Sequence, residues 1–340
     1  MEQNIPLAGH TTLGVGGAAR WFATASSEED VADAIGFARE RNAPIFVLGG
    51  GSNLLVSDDG FPGLVLQMAI TGIERGGELL RVGAGESWDR LVQYAVDDGL
   101  QGIECLAGIP GTVGGTPVQN VGAYGQEVSE TIVTVRARDT QRDTYVDLAN
   151  ADCGFAYRTS LFNTTERGRY IVTRVDFRLR KQASPSLKYA DLRKHFEGQA
   201  APSLADVAEA VRTIRRGKGM VVDAGDPNSR SAGSFFRNPI VPKEVLLKVS
   251  EAAGIAVDAV PHWPAGDTLI KLPAAWLLEQ AGFVRGYAMG PAGISSRHTL
   301  AVINRGGATA ADVIALREHI IETVRLKFGI QLEQEPVSVG

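Results

Sequence analysis

The sequence predicts an α+β fold, and three observations carry that prediction. Short apolar runs bounded by turn residues crowd the first half of the chain, as at Ile45-Phe46-Val47-Leu48 and Leu79-Leu80-Arg81-Val82. Runs of helical period dominate the last third, as at Val313, Leu316, Ile320, Val324 and Phe328. Between them the order is mixed, so the chain reads strand-rich, then mixed, then helix-rich, rather than as one regular α/β winding.

Taken in order, the elements have local causes. Ser27 can cap a helix over 28–41, with Glu28, Glu29 and Asp30 at its positive end and Val31, Ala34, Ile35 and Ala38 on one face. Strands follow at 45–48, 54–56, 64–68 and 79–83, then a helix over 87–98 carrying Leu91, Val92, Ala95 and Val96. Residues 106–125 have glycine or proline at nearly every second or third place and no amphipathic period, which predicts a long functional loop. Strands are expected again at 132–138, 144–148 and 170–179. A helix over 204–216 has Leu204, Val207, Val211 and Ile214 on one side, and a Gly/Asp/Asn/Ser-rich loop spans 217–234. Helices near 242–253 and 273–281 and a strand at 299–304 lead to a final helix over 309–328. Thr309-x-x-Asp312 starts that helix, Gly329 ends it, and Leu332-Glu333-Gln334-Glu335 reads as a terminal strand.

The bulk numbers bound the function. The 340 residues suffice for two or three domains, and 44% hydrophobic with 21% charged residues is an ordinary soluble mixture. A net charge of −5 gives no global field for nucleic acid or an anionic membrane. Two cysteines far apart, Cys105 and Cys153, argue against a disulfide framework and a cysteine zinc site; His10, His195, His262, His298 and His319 have no metal-ligand spacing. The first residues carry no basic stretch followed by an apolar core, and no run is long enough to span a bilayer. The expectation is a cytoplasmic protein.

The 40 glycines are the most useful clue. Gly49-Gly50-Gly51-Ser52-Asn53 follows a strand directly, and Pro110-Gly111-Thr112-Val113-Gly114-Gly115-Thr116 forms a second loop of the same kind. Glycine permits positive φ and lets backbone N–H groups approach an anion. Either loop alone reads as a tight turn; together, beside a long stretch without period, they suit a bound pyrophosphate with a large planar group. A Rossmann fingerprint at Gly83-Ala84-Gly85 fails, because Trp88 stands at the third glycine and Glu104 does not end a clear second strand. No G-x-x-x-x-G-K-[ST] and no G-x-S-x-G occurs.

Several segments, in order and over nearly the whole chain, resemble the UDP-N-acetylenolpyruvoylglucosamine reductases. They include Thr12-Leu13-Gly14-Val15-Gly16-Gly17, Leu48-Gly49-Gly50-Gly51-Ser52-Asn53-Leu54-Leu55-Val56, Ile109-Pro110-Gly111-Thr112-Val113-Gly114-Gly115 and Gln119-Asn120-Val121-Gly122-Ala123-Tyr124-Gly125. Phe155-Ala156-Tyr157-Arg158-Thr159-Ser160, Tyr189-Ala190-Asp191-Leu192, Ala232-Gly233-Ser234-Phe235-Phe236-Arg237-Asn238-Pro239 and Leu332-Glu333-Gln334-Glu335 complete the set. The resemblance implies an FAD-binding region of the vanillyl-alcohol-oxidase type in two parts, 1–66 and 67–218. The terminal strand 329–340 would join the second part, and a substrate domain would span 219–328. It also implies noncovalent FAD, NADPH as co-substrate, a UDP-sugar enolpyruvate as substrate, and the longer subtype with a tyrosine loop over the substrate. The expected protein is a monomer without nucleic-acid or membrane partners.

The implied reaction passes a hydride to the terminal carbon of the enolpyruvyl group and a proton to its neighbour. It needs a cation, a proton donor and a second acid. By resemblance Arg158 holds the carboxylate, Ser234 is the proton donor and Glu335 the second acid. Spacing alone does not separate Glu335 from Glu333, which share a face in an extended strand, and Pro336 puts that strand's length in question. Cofactor contacts are expected from Gly49, Gly50, Gly51, Ser52 and Asn53, from Pro110, Gly111, Thr112, Gly114 and Gly115, and from Gly122, with Arg20 facing the flavin phosphates. Substrate contacts are expected from Tyr189, Lys218, Asn238 and His298. Arg215 and Arg216 fit either a nucleotide contact or the negative end of their helix, and His298 fits either a contact or a packed histidine. Gly219-Met220-Val221-Val222 departs from the family's more usual Leu-Pro-Asp-Pro and leaves the path of 219–230 open.

Overall fold

A computed structural model describes residues 1–182 and 184–340. The chain divides into two compact units. The first comprises Met1–Ile5, Ala19–Gly51 and Phe61–Gly217; the second comprises Pro6–Ala18, Ser52–Gly60 and Lys218–Gly340. The architecture is α+β, as expected.

The two larger sheets of the first unit are of different kind. In one, Phe61–Met68 lies between Ala18–Ala25 and Ile45–Leu48 and pairs parallel with both. In the other, five strands run antiparallel in the order Thr144–Ala149, Ile132–Asp139, Tyr170–Arg178, Leu79–Gly83, Ile73–Gly76. Parallel neighbours need a covered connection, and the helix Glu28–Glu40 supplies one. Ser27 caps it in a full capping box with Asp30, and Val31, Ala34, Ile35 and Ala38 are its buried face. The helix Trp88–Asp97 buries Trp88, Leu91, Val92, Ala95 and Val96. Trp88, too large for a Rossmann glycine position, sits in the core and donates its indole N–H to the Leu106 carbonyl at 3.0 Å. Ala18–Ala25, Ile73–Gly76 and the short helix Ala190–His195 had no sequence assignment.

The second unit is built on the helix Ala310–Phe328. Val313, Leu316, Ile320, Val324 and Phe328 are buried against Leu277, Leu278, Ile294 and Val302. Thr309 and Asp312 close the expected capping box, and Gly329 at φ 72° closes the other end. Asp58 adds a second cap, accepting from the N–H groups of Ala310 at 2.7 Å and Ala311 at 2.9 Å. Two small antiparallel sheets flank this core, in the orders Ile240–Pro242, Leu269–Lys271, Trp263–Pro264 and Ala288–Met289, Ala292–Ile294, Val302–Asn304. The helix expected from 242 begins at Val245, because Ile240–Pro242 is a strand; the strand expected from 299 begins at Val302.

One expectation is corrected here. Leu332–Glu335 is not a strand; it makes a single bridge, Phe236 with Gln334, and the terminal strand is Val337–Val339, paired parallel with Leu54–Val56. Proline cannot donate to a ladder. Pro336 therefore separates the two pairings, and Gln334 spans it by donating to the Pro336 carbonyl at 2.6 Å.

Candidate active site

The two glycine loops of the first unit touch backbone to backbone. A Cβ on Gly50 would lie 2.6 Å from Gly111 Cα, and one on Gly49 would lie 2.7 Å from Thr112 Oγ1. Gly51 has φ 64° and Gly111 has φ 127°, values that L side chains rarely adopt. Among the described residues, the N–H groups of Gly49, Gly50, Gly51, Gly111 and Thr112 find no acceptor in the chain. Folded proteins rarely leave such donors unused, and donors gathered where two glycine backbones meet suit an anion such as a pyrophosphate. The residues therefore fit the phosphates of a dinucleotide cofactor. Gly114 has a packing reason instead, since a Cβ there would meet Ala84 Cβ at 2.6 Å, as has Gly122, whose Cβ would meet Glu127 Cγ at 2.7 Å. Gly115 faces open space. Pro110 lies in the same loop, while Ser52 and Asn53 continue the first loop into the second unit. Arg20 is exposed and stacks over Trp21 at 4.2 Å.

Charged groups hold the base of the second loop. Asp89 accepts from Gly108 N–H at 2.7 Å and from Arg212 at 3.1 Å, while Arg215 Nε donates to the Gly108 carbonyl at 3.0 Å. Arg215 also bonds the Tyr124 hydroxyl, and burial lowers its pKa against the pull of Tyr124 and Asp89. Arg216 pairs with Glu209 at 2.7 Å. Tyr124 meets Tyr189 edge to face at 5.3 Å, and burial raises the pKa of both hydroxyls. Tyr189 is 42% exposed and heads the helix Ala190–His195.

Arg158 sits at the tip of a tight turn with φ 54°, a left-handed conformation that costs a non-glycine residue about 1 kcal/mol. Such strain persists where surroundings over-determine it. Ala156 and Thr159 exchange both backbone bonds, and Asn163 Nδ2 donates to the Arg158 carbonyl at 3.1 Å. Ser160 Oγ donates to the Val118 carbonyl at 2.6 Å.

In the second unit the segment 235–237 runs antiparallel to 333–335. Glu335 N–H donates to the Phe235 carbonyl at 2.9 Å and Arg237 N–H to the Glu333 carbonyl at 3.0 Å. This register sets Phe235 opposite Glu335 and Ser234 one residue before that pair, with Gly233 at φ 75° just ahead of it. Ser234 and Glu335 are half-buried, whereas Glu333 is exposed. Asn53 flanks Glu335, accepting from Val337 N–H at 2.9 Å. His298 Nδ1 accepts from Leu300 N–H at 3.0 Å, and the Leu300 carbonyl accepts from Phe235 N–H at 2.7 Å. Asn238 Oδ1 accepts from Ala274 N–H at 2.9 Å, holding the start of the helix Ala274–Gln280. Lys218 is half-buried just past the helix Leu204–Gly217. The open path of 219–230 is fixed by Asn228, whose Oδ1 accepts from Ser295 Oγ and Ser296 N–H, both at 2.9 Å.

Sequence reasoning missed the buried polar groups behind these loops. Glu104 and Asn120 are almost wholly buried and bond segments far away in the chain, a pairing with no local signal. Among the described residues no group of three or more His, Cys, Asp and Glu could hold a metal, and no helix is long and apolar enough to cross a membrane.

Comparison with known proteins gives a consistent picture. Residues 19–146 match an FAD binding domain, and residues 226–339 match the C-terminal domain of UDP-N-acetylenolpyruvoylglucosamine reductase. The chain is 46% identical to the UDP-N-acetylenolpyruvoylglucosamine reductase of Thermobifida fusca, covering 99% of this chain and 98% of that one. It is 45% identical to that of Streptomyces coelicolor, over 99% and 90% of the two chains. The crystal structure of UDP-N-acetylenolpyruvylglucosamine reductase from Thermus caldophilus aligns over 99% of this chain and 98% of that one, with 27% identity and a TM-score of 0.68.

Proposed function

Because this chain belongs to the UDP-N-acetylenolpyruvoylglucosamine reductase family, an FAD-dependent oxidoreductase family, we propose that it reduces UDP-N-acetylglucosamine enolpyruvate to UDP-N-acetylmuramate with NADPH. The reaction would serve peptidoglycan precursor synthesis in the cytoplasm, with the protein acting as a monomer. The observation that carries the reading is the pairing of the segment after Ser234 with Glu333–Glu335. An oxidase would share the glycine loops but has no need of the Ser234 and Glu335 segments.

The Gly49–Gly51 and Gly111–Thr112 amides would hold the FAD pyrophosphate. When bound, FAD would supply the redox relay by which a hydride equivalent from NADPH reaches the terminal enolpyruvyl carbon. Arg158 would pair with the substrate carboxylate through its planar fork and oppose the negative charge that spreads into it. Ser234 would give its hydroxyl proton to the carbon bearing that charge, completing the addition of one hydride and one proton across the double bond. A serine is a weak acid, so a polar relay must return the proton. Glu335 in its protonated form would stabilise the developing charge as a second acid. Tyr189, Lys218, Asn238 and His298 would contact the sugar nucleotide.

The test is anaerobic NADPH oxidation by the flavin-loaded protein with and without UDP-N-acetylglucosamine enolpyruvate. The reading expects oxidation beyond one equivalent per flavin only with that substrate, and UDP-N-acetylmuramate as product. Flavin bleaching without further turnover would overturn it.

A further inference from the structure

We infer that Asn120, with Ser160, is a positioning residue that sets Arg158 for the substrate carboxylate; the inference rests on the role proposed above for Arg158. Asn120 is 1% exposed and stands at φ 45° within the 106–125 stretch. Its amide serves three segments at once. Nδ2 donates to the Ala156 carbonyl at 3.1 Å and to Glu127 Oε2 at 2.9 Å, and Oδ1 accepts from Ser129 N–H at 3.2 Å. Ala156 is one end of the bridge that closes the Arg158 turn, so its carbonyl is held both by Thr159 N–H and by Asn120. Ser160, 0% exposed, ties the other end of that turn to the Val118 carbonyl, two residues before Asn120. The 118–120 segment therefore grips both ends of a turn whose tip is a strained arginine. A guanidinium that must meet a planar carboxylate gains from such pre-organisation, because bidentate pairing is directional. Nothing in the three bonds of Asn120 touches the glycine cradle, so its removal should spare the flavin.

The experiment measures binding of two probes to the oxidised, flavin-loaded enzyme: UDP-N-acetylglucosamine enolpyruvate and UDP-N-acetylglucosamine, which lacks the carboxylate. Asn120→Ala, Ser160→Ala and Arg158→Ala are compared with the parent. The inference expects all three to weaken the enolpyruvyl ligand by about 10- to 100-fold while the plain sugar nucleotide changes little, with flavin reduction by NADPH preserved. If Arg158→Ala discriminates between the probes and the other two do not, the positioning role is overturned and the role of Arg158 stands. If Arg158→Ala itself does not discriminate, the carboxylate reading falls and this one with it. Should Asn120→Ala lose flavin or fold, Ser160→Ala decides.

Discussion

Glu335 donates its backbone N–H to the carbonyl of Phe235 at 2.9 Å, one residue beyond Ser234. The next bond of the same pairing joins Arg237 to Glu333. The register sets Phe235, next to Ser234, opposite Glu335, and Arg237, three residues from Ser234, opposite Glu333, a distinction that spacing along the chain leaves open.

This separates the two acids by experiment. Glu335→Gln should lower steady-state turnover by about 100-fold or more, the usual worth of a placed acid, at saturating NADPH. Glu333→Gln changes an exposed side chain and should leave turnover near the parent value.

The same pairing shows where sequence reading succeeds and stops. Thr309 and Asp312 announce their helix because a capping box is a contact between residues three apart. Asp58, which caps the same helix, lies 252 residues from Ala310, and nothing local marks it. The terminal strand was expected at Leu332–Glu335, but strand position depends on a partner, and the partner of Val337–Val339 is Leu54–Val56. The glycine loops were legible as loops; that Gly50 meets Gly111 at backbone distance was not. Sequence reading weighs Glu104 only as a Rossmann acid and Asn120 only within a family segment; their buried bonding stays unread because Ser186 and Ala156, two of their partners, come from distant segments.

The glycine cradle predicts opposite effects for one kind of substitution. Gly50→Ala would push a Cβ to 2.6 Å from Gly111 Cα, forcing the loops apart, and FAD affinity of the apo protein should fall by about tenfold or more, roughly 1.4 kcal/mol. Gly36→Ala lies on the exposed side of the helix Glu28–Glu40 with nothing within 4 Å. It should stabilise the protein by about 0.5–1 kcal/mol in denaturant unfolding.

Glu104 anchors the approach to Tyr189. It is 0% exposed and accepts from Gly102 N–H at 2.8 Å, Gln126 Nε2 at 2.9 Å and Ser186 N–H at 3.0 Å. Glu104→Ala strands three donors and should cost on the order of 3 kcal/mol of stability. Because Ser186 leads into Tyr189, KM for the UDP-sugar should rise while reduction of the flavin by NADPH stays near normal.

Asp139 gives the first unit an acid-sensitive joint. Bonding to Arg169, at 2.6 Å, holds its carboxyl down at about 2, from 3.8. A depressed folded-state pKa means stability present above the unfolded value and lost as pH falls through the folded one. Thermal unfolding between pH 4 and pH 2 should therefore weaken more steeply in the parent than in Asp139→Asn, which carries no titrating group there. Equal slopes would remove Asp139 as a source of acid sensitivity.

The most direct test of the chemistry assigned to the second unit is Ser234→Ala, followed through the two half-reactions separately. The account predicts that NADPH reduces the flavin at nearly the parent rate. Reoxidation of the reduced enzyme by UDP-N-acetylglucosamine enolpyruvate should slow by about 10²- to 10⁴-fold, the range for loss of a placed proton donor. Equal slowing of both half-reactions, or none in the second, would contradict Ser234 as the proton donor.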